Sequence, residues 1–269
     1  RWKLLAGVRF DRYHQDYENR LNRAVQTQSH SAATPRVGVT YLVNDRTSVY
    51  ASAGRSFRPN TGADESGRAF DPQEGKAFEL GAKWQSADQR LNGSVALFDI
   101  RKTNVLTRSP TNANYNVAAG EVRSRGLEAD LAGQIDAHWR MTANLAYTDA
   151  EVVRDNNPAL LGKRLLNVPR VSAGLFAIRE DRLASGGRWG VGGGLVHVGE
   201  RTGTATDTYR LPAYTTARLT SYWQIDKRTR LTLDVHNLFD KTYYTASWGN
   251  LTVIPGLGRH VVAGVQVAF

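Results

Sequence analysis

The chain has 269 residues, no cysteine, 25 glycines and a formal charge of +10. The missing cysteines exclude a disulfide scaffold, a thiolate metal site and a thiol nucleophile. A mean hydropathy of −0.44, with no long apolar run, excludes membrane-spanning helices. The cations (Arg9, Arg36, Arg140, Arg218 and Arg230 among them) are scattered rather than gathered in a tract, which argues against a nucleic-acid partner.

In chain order, the dominant period is two. Leu4, Ala6, Val8 and Phe10 alternate with Lys3, Gly7, Arg9 and Asp11. Val37, Val39 and Tyr41 follow the same rule, as do Phe78, Leu80, Ala82 and Trp84. So do Leu127, Ala129 and Leu131, then Trp139 to Tyr147, Leu231 to Val235, and Val261 to Phe269. Such alternation predicts strands with one apolar and one polar face. Twelve are expected, over 2–15, 33–43, 47–57, 74–85, 90–102, 121–134, 139–151, 164–179, 188–200, 209–225, 230–239 and 258–269.

Short connections carrying Asn44-Asp45, Asp88, Asp136 and Asp226 alternate with long ones over 16–32, 58–73, 103–120, 152–163, 201–208 and 240–257. A transmembrane β-barrel has a reason for this alternation, with short periplasmic turns at one rim and long extracellular loops at the other. The fold class expected is therefore all-β, a transmembrane antiparallel barrel with about 12 strands in this chain. On this reading Trp2, Trp84, Trp139, Trp189 and Trp223 all fall at the short-turn rim on the apolar parity, as an aromatic girdle. Glu79, Glu128, Asp130 and Asp234, with Lys83, Arg140, Arg218 and Arg230, fall on the opposite parity and require a wet lumen.

The segment Val235-His236-Asn237-Leu238-Phe239-Asp240-Lys241-Thr242-Tyr243-Tyr244 resembles the "NLFDKxY" signature of TonB-dependent outer-membrane receptors. Ser48 to Ser52 with Ser56-Phe57-Arg58-Pro59, Glu74 to Lys83, Phe98 to Leu106, Ser124 to Glu128, Asn167-Val168-Pro169-Arg170 and Leu211 to Thr215 resemble further family stations in collinear order. The terminal Phe269 resembles an outer-membrane assembly signal. The best fit within the family is the siderophore branch of ferric hydroxamate (ferrichrome-type) receptors. Two features depart from it: the last extracellular loop has no cysteine pair, and the approach to the last strand reads Pro255-Gly256-Leu257-Gly258-Arg259.

The resemblance implies that residues 1–269 are one unit, the last twelve strands of a 22-stranded barrel. A plug domain and a segment contacting TonB would precede them. It implies an outer-membrane receptor that takes up a ferric siderophore with TonB-coupled energy, performs no covalent chemistry and has no cofactor, iron arriving only within its chelate. A twelve-strand piece would leave two sheet edges unpaired and would not insert alone as a stable barrel. Haem, cobalamin or a carbohydrate on the same fold, a passive porin, and a twelve-stranded phospholipase are the competing readings; no GxSxG elbow supports the last.

Cargo contacts are expected from Phe57, Arg58, Tyr115, Tyr243, Tyr244 and Trp248, aromatic and cationic groups on the extracellular side. By family likeness the nearest match to a cargo-contacting aromatic of the last loop is Trp248. Loop Arg and Lys residues are expected to meet lipopolysaccharide phosphates, beside the surrounding lipid. His14, His30, His138, His197, His236 and His260 are dispersed, without HxxxH or HExxH spacing, and predict no protein-held metal.

Overall fold

A computed structural model describes residues 1–20, 23–109, 111–112, 114–184 and 186–269. Twelve long strands form one antiparallel sheet: β1 (Trp2–Asn19), β2 (Ala24–Leu42), β3 (Thr47–Arg58), β4 (Gln73–Gln85), β5 (Leu91–Arg108), β6 (Asn116–Gln134), β7 (Trp139–Arg154), β8 (Val171–Arg182), β9 (Arg188–Val198), β12 (Tyr214–Gln224), β13 (Thr229–His236) and β16 (His260–Val267). Two short ladders sit in the long connections, β10 (Arg201–Thr202) with β11 (Arg210–Leu211) and β14 (Tyr244–Ser247) with β15 (Val253–Pro255). In the large sheet each strand pairs with the next of its strands along the chain, and β1 and β16 form the two edges.

The two faces differ as the alternation requires. Leu4 faces Val39 across the ladder, Val39 faces Ala51, Ala51 faces Leu80, and Leu80 faces Leu97. This apolar face has no protein covering it: Leu4 is 82% exposed, Phe10 77% and Val265 70%. Among the described residues only Phe70, Ala150, Leu211 and Ala217 are buried hydrophobics. A contiguous apolar surface of this extent needs lipid as its solvent. The other face is a charged and hydrogen-bonded wall. Tyr50 Oη donates to Glu79 at 2.5 Å, with Lys83 Nζ 5.1 Å from the Tyr50 ring centre. Arg140 and the Tyr222 hydroxyl both donate to Glu180, and the Arg230 guanidinium lies 3.9 Å above the Tyr222 ring. Thr220 donates to Asp234 at 2.5 Å.

The short turns close through aspartate and asparagine side chains that mimic a backbone acceptor. Asn44 accepts from Arg46 N at 2.8 Å, Asp136 from His138 N and Trp139 N at 2.7 and 2.8 Å, and Asp226 from Arg228 N and Thr229 N at 2.7 and 2.8 Å. The five girdle tryptophans lie at this rim on the apolar face. Trp189 stands opposite Trp223, and Trp2 packs on Tyr41 with ring centres 4.7 Å apart.

Several boundaries differ from the expected ones. The connection expected over 16–32 is mostly ladder: β1 and β2 stay paired out to Asn19 and Ala24. There both faces are mostly polar, so alternation gives no signal beyond the bilayer. β5 likewise runs to Arg108 and β6 begins at Asn116; there register shifts between Lys102 and Leu106 break the alternation, so its period does not carry across them. The tips at Leu21–Asn22, Pro110, Ala113 and Ser185 lie outside the described residues. Residues 164–170 are loop rather than strand, and β8 begins only after Pro169, which has no N–H for a ladder. Pro212 likewise detaches Arg210–Leu211 from β12, and β13 stops at His236 because Asn237 adopts a left-handed φ of 48°.

Gly126 explains one family station. A Cβ there would collide with the Tyr147 carbonyl oxygen and the Phe98 ring, so only glycine lets β6 approach β7 under that ring.

Candidate functional site

The extracellular end is built from the long connections, tied together by side chains that satisfy backbone groups. Asn237, the first residue of the NLFD signature, donates to the carbonyls of Lys241 at 2.9 Å and Leu257 at 3.1 Å and accepts from Lys241 N at 2.9 Å. Asp240 accepts from Arg259 N at 2.8 Å. The signature is thus a clamp that returns the chain from β13 to the start of β16.

Between these ends the β14–β15 hairpin is gripped by two other loops. Arg201, only 2% exposed, donates to the carbonyls of Thr245 at 2.8 Å and Tyr244 at 2.7 Å, and its guanidinium lies 5.2 Å from the Tyr214 ring centre. Tyr214 in turn packs on Tyr243 with centres 4.5 Å apart. Asn167 donates to the Ser247 carbonyl, and Ser247 Oγ donates to the Gly203 carbonyl. Tyr209 Oη donates to the Gly249 carbonyl at 2.7 Å. In the supporting loop, Arg210 holds Glu200 at 2.6 Å and Asp207 at 3.1 Å. These two carboxylates, Glu200 first, raise the guanidinium's affinity for its proton above the ordinary arginine value.

The expected cargo residues fall in two groups. Tyr243, Tyr244 and Trp248 share the gripped loop. Tyr243 is half-buried under Tyr214, its ring covering Gly256, where a Cβ would collide with it. Tyr244 is exposed, and its carbonyl anchors Arg201. Trp248 is 79% exposed at the hairpin turn, its N–H bonded to the Thr252 carbonyl at 2.9 Å. The ring therefore projects from a fixed backbone.

Phe57 and Arg58 lie in a second cluster at the end of β3, and Tyr115 lies in the β5–β6 connection. Phe57 stacks on Tyr13, with centres 6.2 Å apart, and Arg58 is exposed at the end of β3 opposite Gln73. Tyr115 closes the β5–β6 connection, its carbonyl accepting from Ser109 N at 2.9 Å. The hub of this cluster is Asn60. It is buried, donates to the carbonyls of Asp71 at 2.7 Å and Asn104 at 2.9 Å, and accepts from Gln73 at 3.0 Å. Asn104 occupies a β5 bulge with a φ of 56° and donates to the Pro72 carbonyl at 2.9 Å. Sequence reasoning missed Arg201, Asn167, Ser247 and Asn60 as positioning residues. Asn167 and Asn104 lie inside the family stations of the sequence, whereas Arg201 carries no local signal.

On the apolar side, one step beyond the lipid band, a row of cations crosses four strands: Arg55 opposite Lys76, Lys76 opposite Arg101, Arg101 opposite Arg123. Like charges directly opposite repel. Asp99 neutralises Arg123, and Glu121 lies 3.8 Å from Arg101. Arg55 and Lys76 instead edge a cleft with Pro35, Val37, Ala53 and Ala77. These cations lie on strands, outside the long connections. Within the lumen, a cleft of about 650 Å³ is lined by Asn144, Phe176, Arg218, His236, Tyr243 and His260, among others. Among the described residues no group of three or more His, Asp or Glu stands ready to hold a metal.

Comparison with known proteins assigns the family. Residues 1–238 match the family model described as "TonB dependent receptor-like, beta-barrel". The chain is 40% identical to the metal-pseudopaline receptor CntO of Pseudomonas aeruginosa (strain UCBPP-PA14), over all of this chain and 39% of that protein. It is 28% identical to the ferrichrome outer membrane transporter/phage receptor of Escherichia coli (strain K12), over 99% of this chain and 36% of that protein. The solved siderophore receptor PiuA from Acinetobacter baumannii superposes with a TM-score of 0.85 at 24% identity, over 99% of this chain and 40% of that one. The chain thus spans about two fifths of the length of the relatives it matches. It belongs to the TonB-dependent receptor β-barrel family.

Proposed function

We propose that this chain is the wall and extracellular mouth of an outer-membrane receptor that takes up a metal–siderophore chelate, driven by TonB acting on a plug carried elsewhere in the natural polypeptide. The observation that carries the reading is the gripped β14–β15 hairpin. Two loops spend polar groups, the buried Arg201 and the half-buried Asn167, to fix one backbone, and that backbone presents Trp248 and Tyr244 to solvent above a polar lumen. A bulky chelate gains most from rigid aromatic anchors that lose little entropy on binding.

The cargo implied by the motifs is a ferric hydroxamate, and the E. coli relative is named for ferrichrome. A second reading, a metal–pseudopaline chelate, is favoured by the 40% identity to CntO over the whole chain. Arg55 and Lys76, with the apolar cleft beneath them, are proposed to seat a phosphate and an acyl chain of lipopolysaccharide.

The test is uptake of radio-iron by cells lacking their own hydroxamate receptor and supplied with the natural gene. Iron entering as a ferric hydroxamate, and ceasing to enter when TonB is deleted, supports the first cargo. Uptake only of a metal presented as its pseudopaline chelate supports the second. Uptake of neither, with the barrel correctly in the outer membrane, rejects the receptor reading.

A further inference from the structure

The β13–β16 register brings together two histidines that are far apart in the chain. His236 and His260 are direct cross-strand partners, their rings stacked with centres 4.7 Å apart and planes 10° from parallel. The adjoining pair, Val235 opposite Val261, belongs to the lipid-facing parity, so both imidazoles point into the lumen. They line the 650 Å³ cleft at its extracellular end, beside Asn237 and Tyr243.

The two rings are not equivalent. His260 Nδ1 lies 3.0 Å from the Gly258 carbonyl oxygen, which can only accept, so Nδ1 is the donor and, in the neutral ring, Nε2 keeps its lone pair. A backbone carbonyl orienting the far nitrogen is the outer-shell arrangement that metal-binding histidines use. Among the described residues the His236 ring makes no hydrogen bond; its partner is the His260 ring. One imidazole is therefore oriented with a free donor nitrogen, and the other, directly opposite, has both nitrogens uncommitted.

We propose that His236 and His260 form a two-point site for a borderline divalent cation such as Zn2+, Ni2+ or Cu2+ on the lumen wall. Imidazole nitrogen suits these ions, with metal–nitrogen bonds of about 2.0–2.1 Å. Small rotations of the two stacked rings about their side-chain bonds bring one nitrogen of each onto a common ion. With only two protein ligands the ion keeps open positions for water, so the site holds a cation exchangeably rather than as a permanent structural centre. The site follows from strand register and lumen orientation and is independent of which chelate the receptor carries.

The test uses the natural full-length protein in detergent, without a histidine tag, titrated calorimetrically with Cu2+ and with Zn2+. The parent is expected to bind one equivalent that is at least tenfold weaker in His236→Gln and in His260→Gln. His197→Gln, whose ring is held by Thr215 on the lipid-facing parity at 3.0 Å, is expected to bind like the parent. The electron paramagnetic spectrum of bound Cu2+ should show two imidazole nitrogens in the parent and one in each variant. Unchanged binding in both variants overturns the proposal. Should a variant fail to fold, protection in the parent decides: Zn2+ should shield His236 and His260 from diethyl pyrocarbonate, read by mass spectrometry, and equal modification with and without Zn2+ overturns it.

Discussion

Asn167 and Ser247 hold each other by two hydrogen bonds: Asn167 Nδ2 donates to the Ser247 carbonyl, and Ser247 N donates to Asn167 Oδ1, each at 2.9 Å. The pair joins the β7–β8 connection to the hairpin that carries Trp248. Asn167 holds a φ of 65°, a left-handed conformation that asparagine tolerates better than most residues. Asn167→Ala removes both bonds and adds backbone strain, so the hairpin should loosen by about 2–3 kcal/mol. Faster proteolysis between Tyr244 and Val253, with the transmembrane strands intact, is the expected result; an unchanged cleavage rate would sink the latch.

Arg201 is the second fastening. Its two bonds are charge-assisted and buried, and the Tyr244 and Thr245 carbonyls lose their partner without it. Arg201→Ala should weaken the hairpin by about 3 kcal/mol or more. Arg201→Lys should not restore it, since an ammonium lacks the planar fork that reaches both carbonyls and lies over Tyr214. Amide exchange across β14 and β15 distinguishes the outcomes.

The sheet itself makes a prediction at two glycines. Gly126→Val would drive a side chain into the Tyr147 carbonyl and the Phe98 ring, whereas a Cβ placed on Gly7 would meet no neighbour within 4 Å. Gly126→Val should abolish the heat-modifiable folded band on a gel, and Gly7→Val should leave it. Loss of the band in both would place the failure elsewhere than in β6–β7 packing.

A periplasmic turn carries a pH dependence. The backbone N–H groups of His138 and Trp139 hold the Asp136 carboxyl below the ordinary carboxylate range. Its contribution is thus fully present above the unfolded value of about 3.9. It is lost as pH falls through the lower folded value. The protection factors of the His138 and Trp139 amides, exchange measured relative to the intrinsic rate at each pH, should fall on acidification in the parent, while Asp136→Asn, which keeps the acceptor without the charge, should lose that steep dependence. Identical profiles would contradict the assignment.

The fold is legible because lipid and lumen impose a period of two on every crossing: twelve expected strands correspond to twelve strands of the sheet. Legibility stops where that pressure stops. The ladder from Gln15 to Gln28 is polar but for Tyr17, Ala24 and Val25, and Leu165, Leu166 and Val168 look like strand but precede Pro169. Of the candidate site, the aromatics Tyr243, Tyr244 and Trp248 are readable as one loop. The grip of Arg201 and Asn167 is not, because it depends on contacts between connections distant in the chain. The His236–His260 pairing escapes for the same reason: no local spacing records a register between β13 and β16.

The most direct measurement is a tryptophan-fluorescence titration of the natural full-length protein in detergent with ferric hydroxamates and with metal–pseudopaline. Saturable quenching by one of these chelates is expected, with Trp248→Ala weakening its binding by about 2 kcal/mol, as for a central aromatic anchor. No saturable response to any of them, from protein that is folded and heat-modifiable, would contradict the receptor reading.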